Sequence, residues 1–212
     1  MGINYPTRMF SKSKETDKIV TGWEKIANPA TLPINTAWGC SLCEFKNTLY
    51  LAVAHITSLF ITTYYWSGEA WIKIANPATR PSGGGRGCSL YEFEDTLYLA
   101  VAHDNLPFIT TYYWSGSAWI KIANPATLPP DRVWGCSLCE FENKLYLAVT
   151  NYLSPALVTY YWSASAWIKI ANPATRPPAI SRGCSLCEFK NTLYLAVAHG
   201  NSPFITTYRA IT

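Results

Sequence analysis

The side chains able to do chemistry recur at an interval of 48 residues. Glutamates stand at Glu44, Glu92, Glu140 and Glu188. A second position holds His55, His103, Asn151 and His199, and a third alternates as Trp38, Arg86, Trp134 and Arg182. Each set suggests its own chemistry. Carboxylates gathered in one place raise one another's pKa, attract a cation, or flank a glycosidic bond as acid and partner. Three converging imidazoles can hold zinc with a position left open. Trp offers a flat apolar surface to a sugar or base, and Arg grips a carboxylate or phosphate through two parallel bonds.

Periodicity argues against most of this chemistry. Identical copies give the four glutamates identical environments, whereas an acid and a base must differ, so they are assigned a structural role. The His/Asn set ends a strand that is not the innermost of its unit, and Asn151 breaks the set. No metal and no other cofactor is therefore expected. No nucleophile elbow, phosphate loop or HExxH occurs, and the chain is expected not to be an enzyme. The alternating Trp/Arg position turns a fourfold pattern into a twofold one. Trp38, Arg86, Trp134 and Arg182, with His55, His103, Asn151 and His199 beside them, are the candidate ligand-binding residues.

The elements that must position them are repeats of one unit. Trp23, Trp71, Trp119 and Trp167 each open a near-copy of W-x-K-I-A-N-P-A-T, and every copy carries C-S-L-x-E-F-x-x-x-L-Y-L-A-V. Within a unit, GCSLCEF and TLYLAVAH read as a hairpin about KNT or EDT. A loop such as DNLP then leads into FITTYYW, and SGSA turns the chain into the short strand AWIKI. ANPAT with its prolines cannot join a ladder and connects one unit to the next. Four antiparallel strands per 48-residue unit, with one long connection, predict an all-β β-propeller of four four-stranded blades. Trp23–Ile26, in fourth-strand register, is expected to pair with Phe204–Tyr208 of the last blade and close the ring.

Composition agrees with this fold. The 212 residues are 49% hydrophobic and only 14% charged, with 9 Trp and 14 Tyr, as suits sheets covered on both faces. A net charge of +4, dispersed along the chain, implies neither a nucleic-acid nor a membrane partner. Six of the seven cysteines form C-S-L-C pairs, at Cys40/Cys43, Cys136/Cys139 and Cys184/Cys187. In a strand, i and i+3 face opposite sides, so these are expected to be free, buried thiols. With no signal peptide and no glycosylation sequon, an intracellular location is favoured. Residues 1–21 are expected to form a tail or an extra strand, and residues 22–212 the propeller.

The order P-x-x-R-G-x-S, a strand, L-Y-L, an aromatic strand, then a turn and Trp resembles the kelch group of repeats. It is carried by Arg182-Gly183-Cys184-Ser185, by Leu193-Tyr194-Leu195, and by Tyr113 with Trp119. The length fits a ring of hemopexin size. A rigid propeller without a catalytic motif is expected to be a non-enzymatic binding scaffold presenting loops on one face to a protein or peptide. The alternatives are a lectin with repeated Trp-lined sites, and a recently amplified or engineered array with no dedicated ligand. A monomer is favoured, and two chains sharing one ring is the other arrangement.

Overall fold

The computed structural model describes residues 20–178 and 180–211, and all their regular elements are strands. The tail or extra strand expected over residues 1–21 lies almost wholly outside them. Blade 1 is β1 (Ala37–Phe45), β2 (Thr48–His55), β3 (Ile61–Trp66) and β4 (Trp71–Lys73). Blade 2 repeats it as β5 (Gly85–Phe93), β6 (Thr96–His103), β7 (Ile109–Trp114) and β8 (Trp119–Lys121). Blade 3 is β9 (Val133–Phe141), β10 (Lys144–Asn151), β11 (Leu157–Trp162) and β12 (Trp167–Lys169), and blade 4 is β13 (Ser181–Glu188), β14 (Leu193–His199) and β15 (Ile205–Arg209). Each sheet is an antiparallel meander in chain order. This is the four-bladed β-propeller architecture the repeat predicts.

The local chemistry of the repeat explains each element. The first hairpin turns on two residues of positive φ, Lys46 and Asn47 in blade 1 and their equivalents in the others, which is the backbone of a type I′ turn. In the outer hairpin the Ser67 hydroxyl donates to the Ala70 carbonyl at 3.0 Å and accepts from the Ala70 amide at 3.0 Å, as Ser115 does with Ala118. Trp66 and Trp71 face each other across that turn, with ring centroids 5.2 Å apart. These bonds hold a three-residue outer strand that its backbone ladder alone would leave marginal.

C-S-L is the joint between blades. The Ser41 hydroxyl accepts the Leu90 amide, Ser89 that of Leu138 and Ser137 that of Leu186, each at 3.0 Å. The preceding cysteines reach the other way, with Cys88, Cys136 and Cys184 donating to the carbonyls of Ala52, Ala100 and Ala148. Every described cysteine is free. At the outer rim, the Trp119 indole donates to Thr63 Oγ1 and the Trp167 indole to Thr111 Oγ1, both at 2.9 Å. Near the axis the inner strands come closest at their glycines: a methyl on Gly39 or Gly135 would come within 2.9 and 2.8 Å of the next glycine Cα.

The expected pairing of Trp23–Ile26 with the last blade is not formed. Blade 4 has three described strands, and Trp23 is 96% exposed. The two faces that would meet are open: Leu42 is 59% exposed where Leu90 is 5%, and Ile205 is 58% exposed where Ile61 and Ile109 are 0%. Where blade 4's outer Trp would sit there is an apolar groove of about 860 Å³, lined by Tyr146, Leu147 and Thr159 on one side and Leu195 and Tyr208 on the other. The physical reason is that β13 of blade 4 does not pack against β1 of blade 1 as neighbouring inner strands do elsewhere, so the segment around Trp23 has no covered edge to join.

Trp119→Ala should cost about 3–5 kcal/mol, because it empties a buried indole site and orphans Thr63. Trp23→Ala should shift the urea midpoint by less than ~0.5 kcal/mol. Equal losses for the two would mean that Trp23 closes the ring in solution.

Candidate functional site

At one end of the channel the inner strands begin with the alternating residues, and the fold brings all four together. Trp38, Arg86, Trp134 and Arg182 line one cleft of about 310 Å³ with the glycines and cysteines that follow them. Trp38 and Trp134 meet edge to face at 6.2 Å. The Arg86 guanidinium lies over both rings, at 4.7 and 5.1 Å, and that of Arg182 over Trp134 at 5.4 Å. Such stacking holds a guanidinium without satisfying its N–H groups.

Those N–H groups are served from the same blade, by the residue just after the second strand. Arg86 Nε donates to Asp104 Oδ1 at 2.9 Å, and Arg86 Nη2 lies 2.9 Å from Oδ2. In blade 3 the equivalent pair is Trp134 stacked on Tyr152 at 6.0 Å, with Arg132 over Tyr152 at 4.6 Å. The sequence reading missed these partners. Their signal is a constant offset of eighteen residues from each axial residue.

His55, His103, Asn151 and His199 are not part of this cleft. His55, His103 and Asn151 are 0% exposed and His199 is 5% exposed. Nε2 of His55, His103 and His199 is bonded to Oγ1 of Thr62, Thr110 and Thr206, while Asn151 Nδ2 donates to the Pro155 carbonyl. They brace the second strand against the third. Among the described residues no three His, Cys, Asp or Glu side chains gather as a metal site.

At the other mouth lies a cleft of about 430 Å³ with Tyr91, Glu140, Phe141, Glu142, Asn143, Glu188 and Asn191 on its walls. The four recurrent glutamates are not equivalent. Glu140 is half-buried, whereas Glu44, Glu92 and Glu188 are exposed. Tyr91, which stands where the other blades carry Cys43, Cys139 and Cys187, packs against Cys139 and Phe141. Burial, above all, pushes the Tyr91 phenol up, so it stays a hydrogen-bond donor. Glu188 Oε1 accepts the Asn191 amide at 2.7 Å. Three carboxylates thus share one cleft, Glu140 and Glu142 from blade 3 and Glu188 from blade 4, and the two recurrent ones, Glu140 and Glu188, sit in unlike surroundings.

No protein-family profile and no curated protein sequence matches the chain. Solved structures of similar fold are glycoside hydrolases. An exo-β-1,3-galactanase from Phanerochaete chrysosporium is 13% identical with a TM-score of 0.57, over 84% of this chain and 47% of that one. An α-L-arabinofuranosidase from Clostridium thermocellum is 12% identical with a TM-score of 0.57, over 82% and 68%. The GH43B protein of a Bacteroides ovatus xyloglucan PUL is 13% identical with a TM-score of 0.55, over 81% and 38%. The chain thus spans about half or less of two of these chains and two thirds of the third. The likeness establishes the β-propeller class and carries the kelch-type order of the repeat no further.

That the solved structures of this fold named above are glycan-acting enzymes corrects the expectation of a non-enzymatic scaffold for a protein or peptide and the expectation that the chain is not an enzyme. The four glutamates do not have identical environments: Glu140 is half-buried and shares its cleft with Tyr91, where the other blades carry a cysteine.

Burial, the largest cause, lowers the His103 imidazole from 6.5 to about 4. A base depressed on folding contributes stability that is present above pH 6.5 and lost as pH falls toward 4, here about 3 kcal/mol. Urea midpoints at pH 7 and pH 4.5 should show that loss. His103→Asn, which places blade 3's residue in blade 2, should make the loss smaller.

Proposed function

We propose that this chain is a glycan-cleaving propeller in which Glu140 and Glu188 act as a carboxyl pair on a glycosidic bond. The observation that carries the reading is their placement in one cleft from two neighbouring blades, one half-buried and one exposed. Hydrolysis needs a carboxyl that gives a proton to the leaving oxygen and a second that acts in its charged form. Glu140, the more sheltered from solvent, and Glu188, whose Oε1 accepts the Asn191 amide, are the two carboxyls assigned to these roles. Phe141 supplies an apolar wall for a sugar face, and Tyr91 a hydroxyl for its polar edge. The fold shared with hydrolases of arabinose- and galactose-containing glycans supports the reaction class as an analogy of fold. The kelch-like order of the repeat describes how a blade is built, and the reading does not depend on it.

Arabinan, xyloglucan and β-1,3-galactan are the substrates to try first, with reducing-sugar release as the readout. Glu140→Gln and Glu188→Gln should each lower the rate by about 10²–10⁴-fold while leaving the urea midpoint in place. Release from none of the three glycans, or variants as active as the parent chain, would overturn the assignment.

A further inference from the structure

One groove in this chain lacks its tryptophan, and one tryptophan lacks a groove. Trp119 and Trp167 are buried between two blades, and each indole donates at 2.9 Å to a threonine of the blade before, Thr63 and Thr111. Thr159 is the next in that series. It lines the apolar groove of about 860 Å³ between blades 3 and 4, where blade 4 has no described outer strand. Trp23 opens the same W-x-K-I phrase and stands free in solvent. The backbone repeats the mismatch. Ile74, Ile122 and Ile170, the last residues of that phrase, donate their amides at 2.9 Å to the carbonyls of Thr63, Thr111 and Thr159. Their counterparts are Ile26 and Thr207, the latter on β15, the unpaired edge of blade 4.

The open sheet faces of blades 1 and 4 are the two halves of one interface. Between blades 1 and 2, Phe45 and Ile61 pack with Leu90 and Leu97, and between blades 2 and 3 Phe93 and Ile109 pack with Leu138 and Leu145. Phe189 and Ile205 repeat the first half on blade 4, Leu42 and Leu49 repeat the second on blade 1, and all four are exposed. The joint's polar groups divide the same way. Ser185 stands where Ser41, Ser89 and Ser137 accept the next blade's leucine amide, and Leu42 is the leucine with no blade before it. The chain's own blade 4 is not placed to use these groups, because β13 does not pack against β1. Trp23 is also tethered to blade 1. The Tyr64 hydroxyl donates to the Thr31 carbonyl at 2.9 Å, as Tyr112 does to Thr79 and Tyr160 to Thr127. Trp71 and Thr79 bracket a connection between two packed blades, and Trp23 and Thr31 bracket the same stretch of sequence. Trp23 therefore serves a blade packed on the open face of blade 1.

We infer that this face receives a second copy of the chain, head to tail, with Trp23–Ile26 of one copy forming the outer strand of blade 4 in the other. The Trp23 indole enters the groove and donates to Thr159, the Ile26 amide bonds to the Thr207 carbonyl, and Leu42 and Leu49 close over Phe189 and Ile205. A strand is thereby added to a free edge and the apolar groove beneath it is covered. The contact joins two different surfaces, so every copy carries one donor end and one acceptor end. It is independent of the glycan reading of the preceding section.

Sedimentation of the full chain over a range of concentrations tests the contact. The parent's mass should rise above that of one chain as concentration increases. Trp23→Ala with Leu42→Glu blocks the donor end and Ile205→Glu the acceptor end, and all three residues are exposed, so each variant keeps its fold. Alone, each should hold the mass of one chain. Mixed in equal amounts they should give a pair of chains, because one intact end of each kind remains. Thr159→Val in the donor-blocked chain should weaken that pair about tenfold, the contribution of one hydrogen bond. Hydrogen exchange at the Ile26 amide should slow as the parent associates. A variant that associates alone as tightly as the parent, or a mixture that keeps the mass of one chain, would overturn the contact. So would a parent of one-chain mass at every concentration, and slow exchange at Ile26 in that case would assign the groove to the chain's own Trp23.

Discussion

The bond on which the rest of the structure depends is the one from a serine hydroxyl to the next blade's leucine amide. Ser41, Ser89 and Ser137 each accept such an amide at 3.0 Å, close to the glycine contacts at the axis. An inner strand uses one set of its backbone groups within its own sheet, and an unmet amide at a buried joint would cost about 1–3 kcal/mol. Serine meets it from across the gap and fixes the register of two sheets at once. The cysteine before it and the leucine after it are then committed together to the opposite face, toward the preceding blade, which is why the phrase C-S-L recurs whole.

Two clefts follow from that joint, one at each mouth. At the first, the residue before the glycine is delivered to the axis, where indoles and guanidiniums can only stack on one another. At the second, the glutamate at the far end of the same strand reaches the rim beside its counterpart on the next blade. Sameness of sequence gives sameness of position, and chemistry begins where a neighbour differs. Tyr91 in place of a cysteine is one such difference.

Much of the fold is legible in the sequence because its determinants are local. The two-residue turns at Lys46-Asn47, the serine-closed turns and the Trp of the outer strand all act within one repeat. The Trp38, Arg86, Trp134, Arg182 convergence is also legible, since a residue at the start of every inner strand must approach the axis. The partners Asp104 and Tyr152 are written in the sequence as an offset, but they acquire meaning only when the loop after the second strand folds back beside the axial residue. The half-burial of Glu140 is not written in its own repeat, because Tyr91 comes from the blade before it. Strand register says which edges could pair, and it does not say whether they meet: Trp23 stays exposed beside an unpaired last blade.

The spacing of the joints bears on how the chain assembles. Bonds between neighbouring blades link residues 36 to 56 positions apart, through Cys136–Ala100, Ser41–Leu90 and Trp119–Thr63. Adding a blade never demands a longer excursion of the chain than the blade before it, so the entropy of bringing partners together is the same at each step. Joining Trp23 to Tyr208 would instead tie together the two ends of the described chain in a single event. An array of this kind grows by cheap, equal increments and reserves its one expensive search for the final seam.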